Sequence, residues 1–204
     1  MNIGPKYKIC KRLGNGVFEK CQTQKFMLSE ARSGKRRSGK KGRPRTLSDY
    51  GRQLLEKQKA RFTYGISEKQ LARYVKESTR GVAPTNALVQ HLETRLDNVV
   101  YRLGFAPTRR SARQYVSHGH VTVNGKKMNI PSYHVVSGEK IGIRAGSKGK
   151  TLFANITERL AEHKAPAWMV FDMKTVEGEV TAMPMTENTE TLFNISSVVE
   201  YYSR

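Results

Sequence analysis

The chain has 204 residues, of which 37 are Lys or Arg and 17 are Asp or Glu, so its formal net charge is +20. Hydrophobic residues make up 37% of it, which is enough for one core or two small ones and argues against a wholly disordered basic tail. No apolar run approaches the roughly 20 residues that span a bilayer, and the first residues, MNIGPKYKICKRLG, lack the apolar stretch of a secretion signal. We therefore expect a soluble, intracellular protein.

The positive charge is concentrated in the first three-quarters of the chain. Residues 1–80 carry a net charge of +16, residues 81–150 carry +8, and residues 151–204 carry −4. This distribution predicts a polyanionic partner that contacts the first two segments, with the acidic C-terminal part turned away from it. Nucleic acid is the first candidate. An anionic membrane is disfavoured because no predicted helix combines a Lys/Arg face with a broad apolar face.

Cysteine and histidine positions bear on metal binding. Cys10 and Cys21 are the only cysteines, and the five histidines lie far from them, between positions 91 and 163. Two cysteines are too few for a disulfide scaffold, and without further ligands nearby they cannot complete a tetrahedral metal site. We expect two free thiols, no bound metal and no cofactor.

Residues 32–45, RSGKRRSGKKGRPR, hold eight basic residues, three glycines and one proline, without an acidic or aliphatic residue. Such a segment buries too little to offset its ordering entropy, so we expect a mobile arm that orders on RNA; a solvated linker is the alternative. Its candidate RNA ligands are Arg36, Arg37, Lys40, Lys41, Arg43 and Arg45.

Two helices are predicted after this arm. Ser48 caps the first, which extends to about Phe62. The capping-box sequence Ser67-Glu68-Lys69-Gln70 begins the second, which ends at Gly81, and residues 81–84 form a candidate hinge. Basic residues predicted to face outward, and therefore to be available to RNA, are Arg52, Lys57, Lys59, Arg61 and Arg73.

The most regular pattern follows the hinge. From Thr85 or Asn86, one continuous helix is predicted to end at Gly104, with a buried stripe at three- and four-residue steps formed by Leu88, Leu92, Leu96, Val99 and Leu103. Thr108 caps a shorter helix through Ser117. Arg109, Arg110 and Arg113 share its solvated face, and the near carboxylates, Glu93 and Asp97, are too few to neutralise them, so we expect phosphate contact there.

The periodicity then changes from helical to two. Residues 120–123 form a strand, Asn124-Gly125 is a type I′ turn, and residues 126–130 return as the partner, presenting Lys126 and Lys127. For His118 and His120, one possibility is that one of them contacts a phosphate or a 2′-hydroxyl of RNA. The alternative is a turn residue half-packed on the sheet, and both interpretations stay open. The remaining predicted elements are a short strand near 138–144, a helix over 152–163, a core position for Trp168, a hairpin arm near 176–183 and a packed C-terminal group over 195–202. Together with the preceding elements they predict an α+β protein.

Three separated runs resemble a known family. Residues 95–135, RLDNVVYRLGFAPTRRSARQYVSHGHVTVNGKKMNIPSYHV, resemble the S-four RNA-binding domain, which occurs in one ribosomal protein, some pseudouridine synthases and some tRNA synthetases. Residues 47–75 and the terminal VVEYYSR resemble only the bacterial-type small-subunit ribosomal member. The similarity extends from Gly4 to the last residue.

The resemblance implies a fold and a set of partners. It implies a basic N-terminal extension over residues 1–45, a helical domain over 46–84 completed by about 192–204, and an inserted S-four module with its extension over 85–191. It implies a cytoplasmic or organellar ribosomal protein that binds a multi-helix junction in the 5′ domain of small-subunit rRNA and nucleates assembly. Neighbouring ribosomal proteins, and messenger RNA at the channel through which it enters, are the further partners.

Two alternatives are weighed against this reading. Some family members bind zinc through four N-terminal cysteines, but this chain has two, so we expect the zinc-free form. Arg95-Leu96-Asp97 matches the start of the pseudouridine synthase motif, but the next residues continue a helical pattern, so Asp97 is predicted to be a helix-surface residue paired with Arg95 or Tyr101 and the protein not an enzyme. A non-ribosomal RNA- or DNA-binding protein remains the alternative function.

Overall fold

A computed structural model describes residues 4–37, 47–172 and 175–203. It divides the chain into two compact units: a helical unit, Met1–Thr79 with Thr191–Arg204, and a mixed unit, Arg80–Glu190. Helices and one sheet of short antiparallel strands confirm the predicted α+β class. In the part of the chain that is described, no helix combines the length and apolar character needed to cross a membrane.

The two units together contain the following helices and strands among the described residues. In chain order the helices are α1 Lys6–Leu13, α2 Gln24–Arg37, α3 Asp49–Tyr64, α4 Glu68–Ser78, α5 Pro84–Glu93, α6 Leu96–Arg102, α7 Arg109–Ser117, α8 Ala145–Lys148, α9 Ile156–Glu162 and α10 Ile195–Tyr202. The strands are β1 Val121–Val123, β2 Lys126–Met128, β3 Lys140–Ile143, β4 Met169–Asp172 and β5 Glu177–Val180. Short 3₁₀ turns span Asn15–Val17, Glu19–Gln22 and Thr151–Phe153.

The beginning of the helical unit is a small lobe over residues 4–37. Its core consists of Cys10, Leu13, Val17, Phe18, Cys21 and Phe26. Cys10 and Cys21 form a disulfide across 11 positions of sequence, with Cα atoms 6.5 Å apart, so the expectation of two free thiols is wrong. The 3₁₀ turns fold the chain back after α1, and burial in the shared apolar core brings the two sulfur atoms together.

Helix α2 changes the interpretation of the predicted arm. It extends to Arg37, so the expectation of a mobile segment is wrong for residues 32–37. The buried Phe26 anchors the first half of this helix, and once a helix is nucleated each further residue adds one hydrogen bond at small cost. Residues 38–45, which make up the rest of the predicted arm, lie outside the described residues.

Local capping signals are confirmed in α3 and α4. The Ser48 hydroxyl accepts a hydrogen bond from the Gly51 N–H, and the Ser67 hydroxyl accepts one from the Gln70 N–H. Gly65 ends α3 in the left-handed conformation, with φ of 62°. Helix α10 then packs against α3, so the C-terminal apolar group does return to the body of the protein.

The predicted continuous helix over the leucine stripe is two helices, and this expectation is wrong. Its five stripe residues are all buried as predicted. However, the Leu96 and Asp97 N–H groups donate to the carbonyls of Tyr133 and Pro131, at 2.8 and 3.1 Å. An extended segment that ends near Val135 thus takes N–H groups that a continuous helix would use, and the chain breaks between α5 and α6.

The sheet follows the hairpin prediction. Asn124 and Gly125 both have positive φ, 48° and 76°, which a type I′ turn requires. The five strands have the order β2-β1-β3-β5-β4, with every neighbouring pair antiparallel. Trp168 is buried beside this sheet, as expected. The predicted helix over 152–163 is instead a 3₁₀ turn and α9, because Asn155, with φ of −103° and ψ of 25°, leaves the helical conformation.

The buried stripe generates a stability prediction. Leu96 is completely buried, so Leu96→Ala should lower the free energy of unfolding by roughly 2–5 kcal/mol through lost transfer energy and a residual cavity. Urea unfolding of the full chain measures it. Leu152→Ala, at a position that is 45% exposed, is the control and should cost far less. Equal losses in the two variants would contradict the assigned core.

The disulfide generates a second prediction. Cross-links of this kind stabilise by roughly 2–4 kcal/mol, and the lobe over residues 4–37 has a core of only six buried residues. Cys10→Ala with Cys21→Ala should therefore accelerate amide hydrogen exchange in this lobe while leaving exchange in α7 of the mixed unit unchanged. Reduced wild-type protein should behave like the variant. Unaltered exchange in the lobe would show that packing alone maintains it.

Candidate nucleic-acid interface

The predicted RNA ligands of the N-terminal arm are only partly described. Lys40, Lys41, Arg43 and Arg45 lie outside the described residues. Arg36 and Arg37 form the end of α2, where the structure describes the backbone course. These six positions therefore stay predictions.

The predicted ligands on α3 and α4 have different surroundings. Arg52 is exposed and pairs with Asp49 on the same helix, and Arg73 is exposed with its Nε 3.9 Å from Glu77. Lys59 is partly buried and pairs with Glu56 at 2.6 Å. Because the carboxylates of Asp49 and Glu77 lie on the surface within one turn of their cations, these two pairs are weak and leave Arg52 and Arg73 available to another anion.

Lys57 is not on the surface, and the prediction that it faces outward is wrong. It is 5% exposed, its Nζ donates to Glu68 at 2.7 Å, and it lies 4.6 Å from the ring centre of Tyr201. The Tyr202 hydroxyl donates to the same carboxylate at 2.7 Å, and Arg61 also pairs with it, at 3.2 Å. The return of α10 onto α3 encloses the lysine, which the pattern of α3 alone could not reveal.

Enclosure of this cluster shifts the pKa values of Glu68 and Tyr202. Burial would raise the pKa of Glu68, but hydrogen bonds from Lys57 and Tyr202 outweigh it and lower that pKa. Burial, and then the hydrogen bond to Glu68, raise the pKa of Tyr202. The cluster therefore joins α3, α4 and α10 around one ionised carboxylate.

The three arginines of α7 do not share one solvated face. Arg110 is exposed, but Arg113 donates to the Asp97 carboxylate at 2.6 and 2.8 Å. Arg109 stacks 4.4 Å from the ring centre of Tyr101 and donates to the Asn98 side chain at 2.8 Å. Nearby carboxylates are therefore not too few for Arg113, and this expectation is wrong, since the one buried carboxylate of Asp97 accepts several N–H groups.

Asp97 and Glu93 are the buried acceptors of this network. Asp97 also accepts two hydrogen bonds from Arg95, at 3.0 and 2.9 Å, so the predicted pairing with Arg95 is confirmed but the surface position of Asp97 is wrong. Glu93 is fully buried and accepts from Asn98 and, at two positions, from Arg102. Sequence reasoning missed Asn98 and Arg102 as the partners of Glu93.

The two histidines at the end of α7 have different environments. His118 is exposed. His120 is buried, and its Nδ1 lies 3.0 Å from the Ser147 hydroxyl. Burial, and then the positive charges of Lys150, His118 and Arg144, lower the pKa of His120. His120 is thus the packed residue of the pair.

Exposed basic side chains remain on α7 and the hairpin. Positions 110 and 114 on α7 and the C-cap position 118 lie one helical turn apart and are all exposed. Lys126 and Lys127 are exposed on β2, and the Lys127 stem crosses Gly119, where a β-carbon would collide with Lys127 Cε. Glycine at 119, with φ of 69°, therefore brings this lysine toward the end of α7. We name Arg110, Gln114, His118, Lys126 and Lys127 the α7–hairpin surface.

The described residues contain no candidate metal-binding cluster. Within residues 4–37, 47–172 and 175–203, no group of three or more His, Cys, Asp or Glu side chains is placed to hold a metal ion.

The buried carboxylate generates a further prediction. Asp97→Asn keeps the shape of the side chain but removes the buried negative charge with which Arg95 and Arg113 both pair, so it should cost about 3 kcal/mol of unfolding free energy. Urea unfolding measures this loss. Asp49→Asn removes the exposed partner of Arg52 and, as the matched control, should change stability by less than about 1 kcal/mol. Similar small effects of both substitutions would show that the Asp97 network contributes little.

Two protein families match this chain in succession. Residues 1–93 match the family described as the ribosomal protein S4/S9 N-terminal domain. Residues 94–141 match the S4 domain, and they include the α7–hairpin surface and Asp97 with its partners Arg95 and Arg113.

Several bacterial proteins are similar over nearly their whole lengths. The small ribosomal subunit protein uS4 of Roseiflexus castenholzii is 49% identical, covering 99% of this chain and 98% of the relative. The proteins of the same name from Chloroflexus aurantiacus and Heliobacterium modesticaldum are 44% and 43% identical, over 99% and 98% of this chain. They confirm the resemblance and, because the family is structural, the expectation that the protein is not an enzyme. The chain belongs to the uS4 family of small ribosomal subunit proteins.

Proposed function

We propose that this protein is a constituent of the small ribosomal subunit and binds its ribosomal RNA directly. The α7–hairpin surface carries the proposal, because it presents exposed cations from two different elements within the part of the chain that matches the S4 domain. The internal pairing of Arg109 and Arg113 leaves Arg110, Lys126 and Lys127 as its proposed phosphate ligands, with His118 beside them.

The proposed mode of recognition is the reading of RNA shape. The major groove of A-form RNA is too deep and narrow for side chains to read its base edges, so a rigid protein recognises the placement of phosphates and 2′-hydroxyls. Helix α7 is anchored to α6 by Arg113 on the buried Asp97 and by Arg109 on Asn98, which provides such rigidity. Cations on a fixed frame can match one spacing of phosphates and reject another.

The helical unit also presents exposed cations. Arg52 and Arg73 are exposed there, and so are Lys8 and Arg12 on α1. Two units that each present exposed cations suit an RNA junction, where several helices must be held at once. We therefore propose a multi-helix junction in the 5′ domain as the binding site, and a primary role in nucleating assembly.

The remaining proposed partners follow from the family. As implied by the sequence resemblance, we propose contacts with neighbouring small-subunit proteins and with messenger RNA at the channel through which it enters. Residues 32–45, with eight basic residues, are the proposed segment for messenger RNA. Ribosomes carrying Ala at Arg36, Arg37, Lys40 and Lys41 would then unwind structured messages poorly.

A binding experiment tests the ribosomal RNA proposal. Arg110→Ala with Lys126→Ala and Lys127→Ala removes three exposed cations that make no core contact, so the variant should stay folded but bind a 5′-domain rRNA junction more weakly. The slope of log affinity against log salt should fall by about one unit per phosphate contact removed. Filter binding between about 50 and 200 mM salt measures both quantities.

Matched controls sharpen the result. Lys164→Ala removes an exposed lysine from the acidic C-terminal part of the chain and should leave RNA affinity unchanged. Duplex DNA of arbitrary sequence at the same salt should compete poorly with the junction. Wild-type affinity of the triple variant, or equal affinity for DNA, would contradict the proposed function.

A further inference from the structure

A cleft of about 420 Å³ opens in the mixed unit beside the end of β3. Its apolar floor is formed by Ile143, Phe153, Ile156 and Val176, and its rim carries Lys148 and Lys150. The volume lies within the range of roughly 300–1,000 Å³ that small-molecule sites occupy in proteins. Apolar side chains with a few polar groups at the edge are the usual composition of such sites.

The rim is strongly basic. The segment over 143–156 contains Arg144, Lys148 and Lys150 and not one acidic residue. All three side chains are exposed, and no acidic side chain is among the described residues that line the cleft. Gly149, also on the lining, has open space where a β-carbon would stand. The cleft is therefore accessible and attracts an anion that carries an apolar face.

The cleft lies close to the α7–hairpin surface. Lys150 and Arg144 act electrostatically on His120, and so does His118, which belongs to that surface. The rings of His118 and His120 are 6.0 Å apart. One basic region thus extends from α7, past the buried His120, to the rim of the cleft.

We propose that this cleft binds one unstacked nucleotide of the RNA, with the base against the apolar floor and its phosphate at Lys148 and Lys150. This inference rests on the proposed function. Bases of paired A-form RNA are hidden, whereas an unstacked nucleotide at a junction exposes both a flat apolar base and a charged phosphate. The apolar floor of the cleft suits the base, and its basic rim suits the phosphate. A single captured nucleotide would add sequence preference to a surface that otherwise reads shape.

Nucleoside monophosphates provide the first test. The full chain, with isotope-labelled isoleucine methyl groups, is titrated with AMP and UMP, and with inorganic phosphate alone. The monophosphates should shift the methyl signals of Ile143 and Ile156, and phosphate alone should leave these signals in place. Unmoved methyl signals with both nucleotides would overturn the proposal, and shifts produced by phosphate alone would reduce the site to an anion site.

A filled cleft provides the second test. Ala154 lines the cleft and is exposed, so Ala154→Trp should occupy its volume, abolish the methyl shifts and weaken binding to the rRNA junction about tenfold. Ala182→Trp, at an exposed alanine outside the lining, is the matched control and should leave both unchanged. If Ala154→Trp fails to fold, Lys148→Glu with Lys150→Glu replaces it, since both side chains are exposed.

The outcomes separate the two proposals. Normal rRNA affinity of the filled or charge-reversed variant would refute the cleft site while leaving the α7–hairpin surface untouched. Loss of affinity on substitution of Arg110, Lys126 and Lys127, together with normal behaviour of Ala154→Trp, would support the function and exclude the cleft.

Discussion

The buried carboxylates Glu93 and Asp97 organise the RNA-binding module. Neither could be ionised at low exposure without partners, because an unpaired buried charge costs several kcal/mol. The chain provides these partners from three places: Arg95 next to the helix break, Asn98 and Arg102 on α6, and Arg113 on α7. The same groups that neutralise the two carboxylates thereby join α5, α6 and α7. The position of α7, and with it the exposed basic surface, depends on this pairing.

This arrangement divides the arginines into two kinds. Arg95 is buried and structural, whereas Arg110 is exposed and free to meet an external phosphate. Arg113 lies between them, since its guanidinium pairs with Asp97 yet remains partly exposed. A basic residue in an RNA-binding protein is thus not automatically an RNA ligand. Lys57 makes the same point in the helical unit, where Glu68 and Tyr201 enclose it.

Much of the fold was predictable because its signals are local. The caps at Ser48 and Ser67 act over three residues, and the Asn124-Gly125 turn requires two positive φ angles that these residue types tolerate. Two of the predictions that failed depended on distant partners. The break before Leu96 requires a carbonyl at Tyr133, and the disulfide requires Cys10 and Cys21 to meet in one core. At the site, exposure of Arg110 and Lys127 could be predicted, but pairing of Arg113 with a residue 16 positions away could not.

The sequence by itself determined the α+β class, the apolar stripe, the hairpin, the basic character of the first 150 residues and, through resemblance, the family. These properties reside in composition, in short-range periodicity and in three runs of residues, so no tertiary contact is needed to read them. Only the tertiary structure decided which cations pair with carboxylates inside the protein and which remain exposed. That division depends on the burial of each carboxylate, and burial is set by packing between elements that are distant in the chain. Whether a charged side chain pairs internally or stays exposed therefore depends on which groups are close to it in three dimensions. Counting charges along the sequence does not give this information.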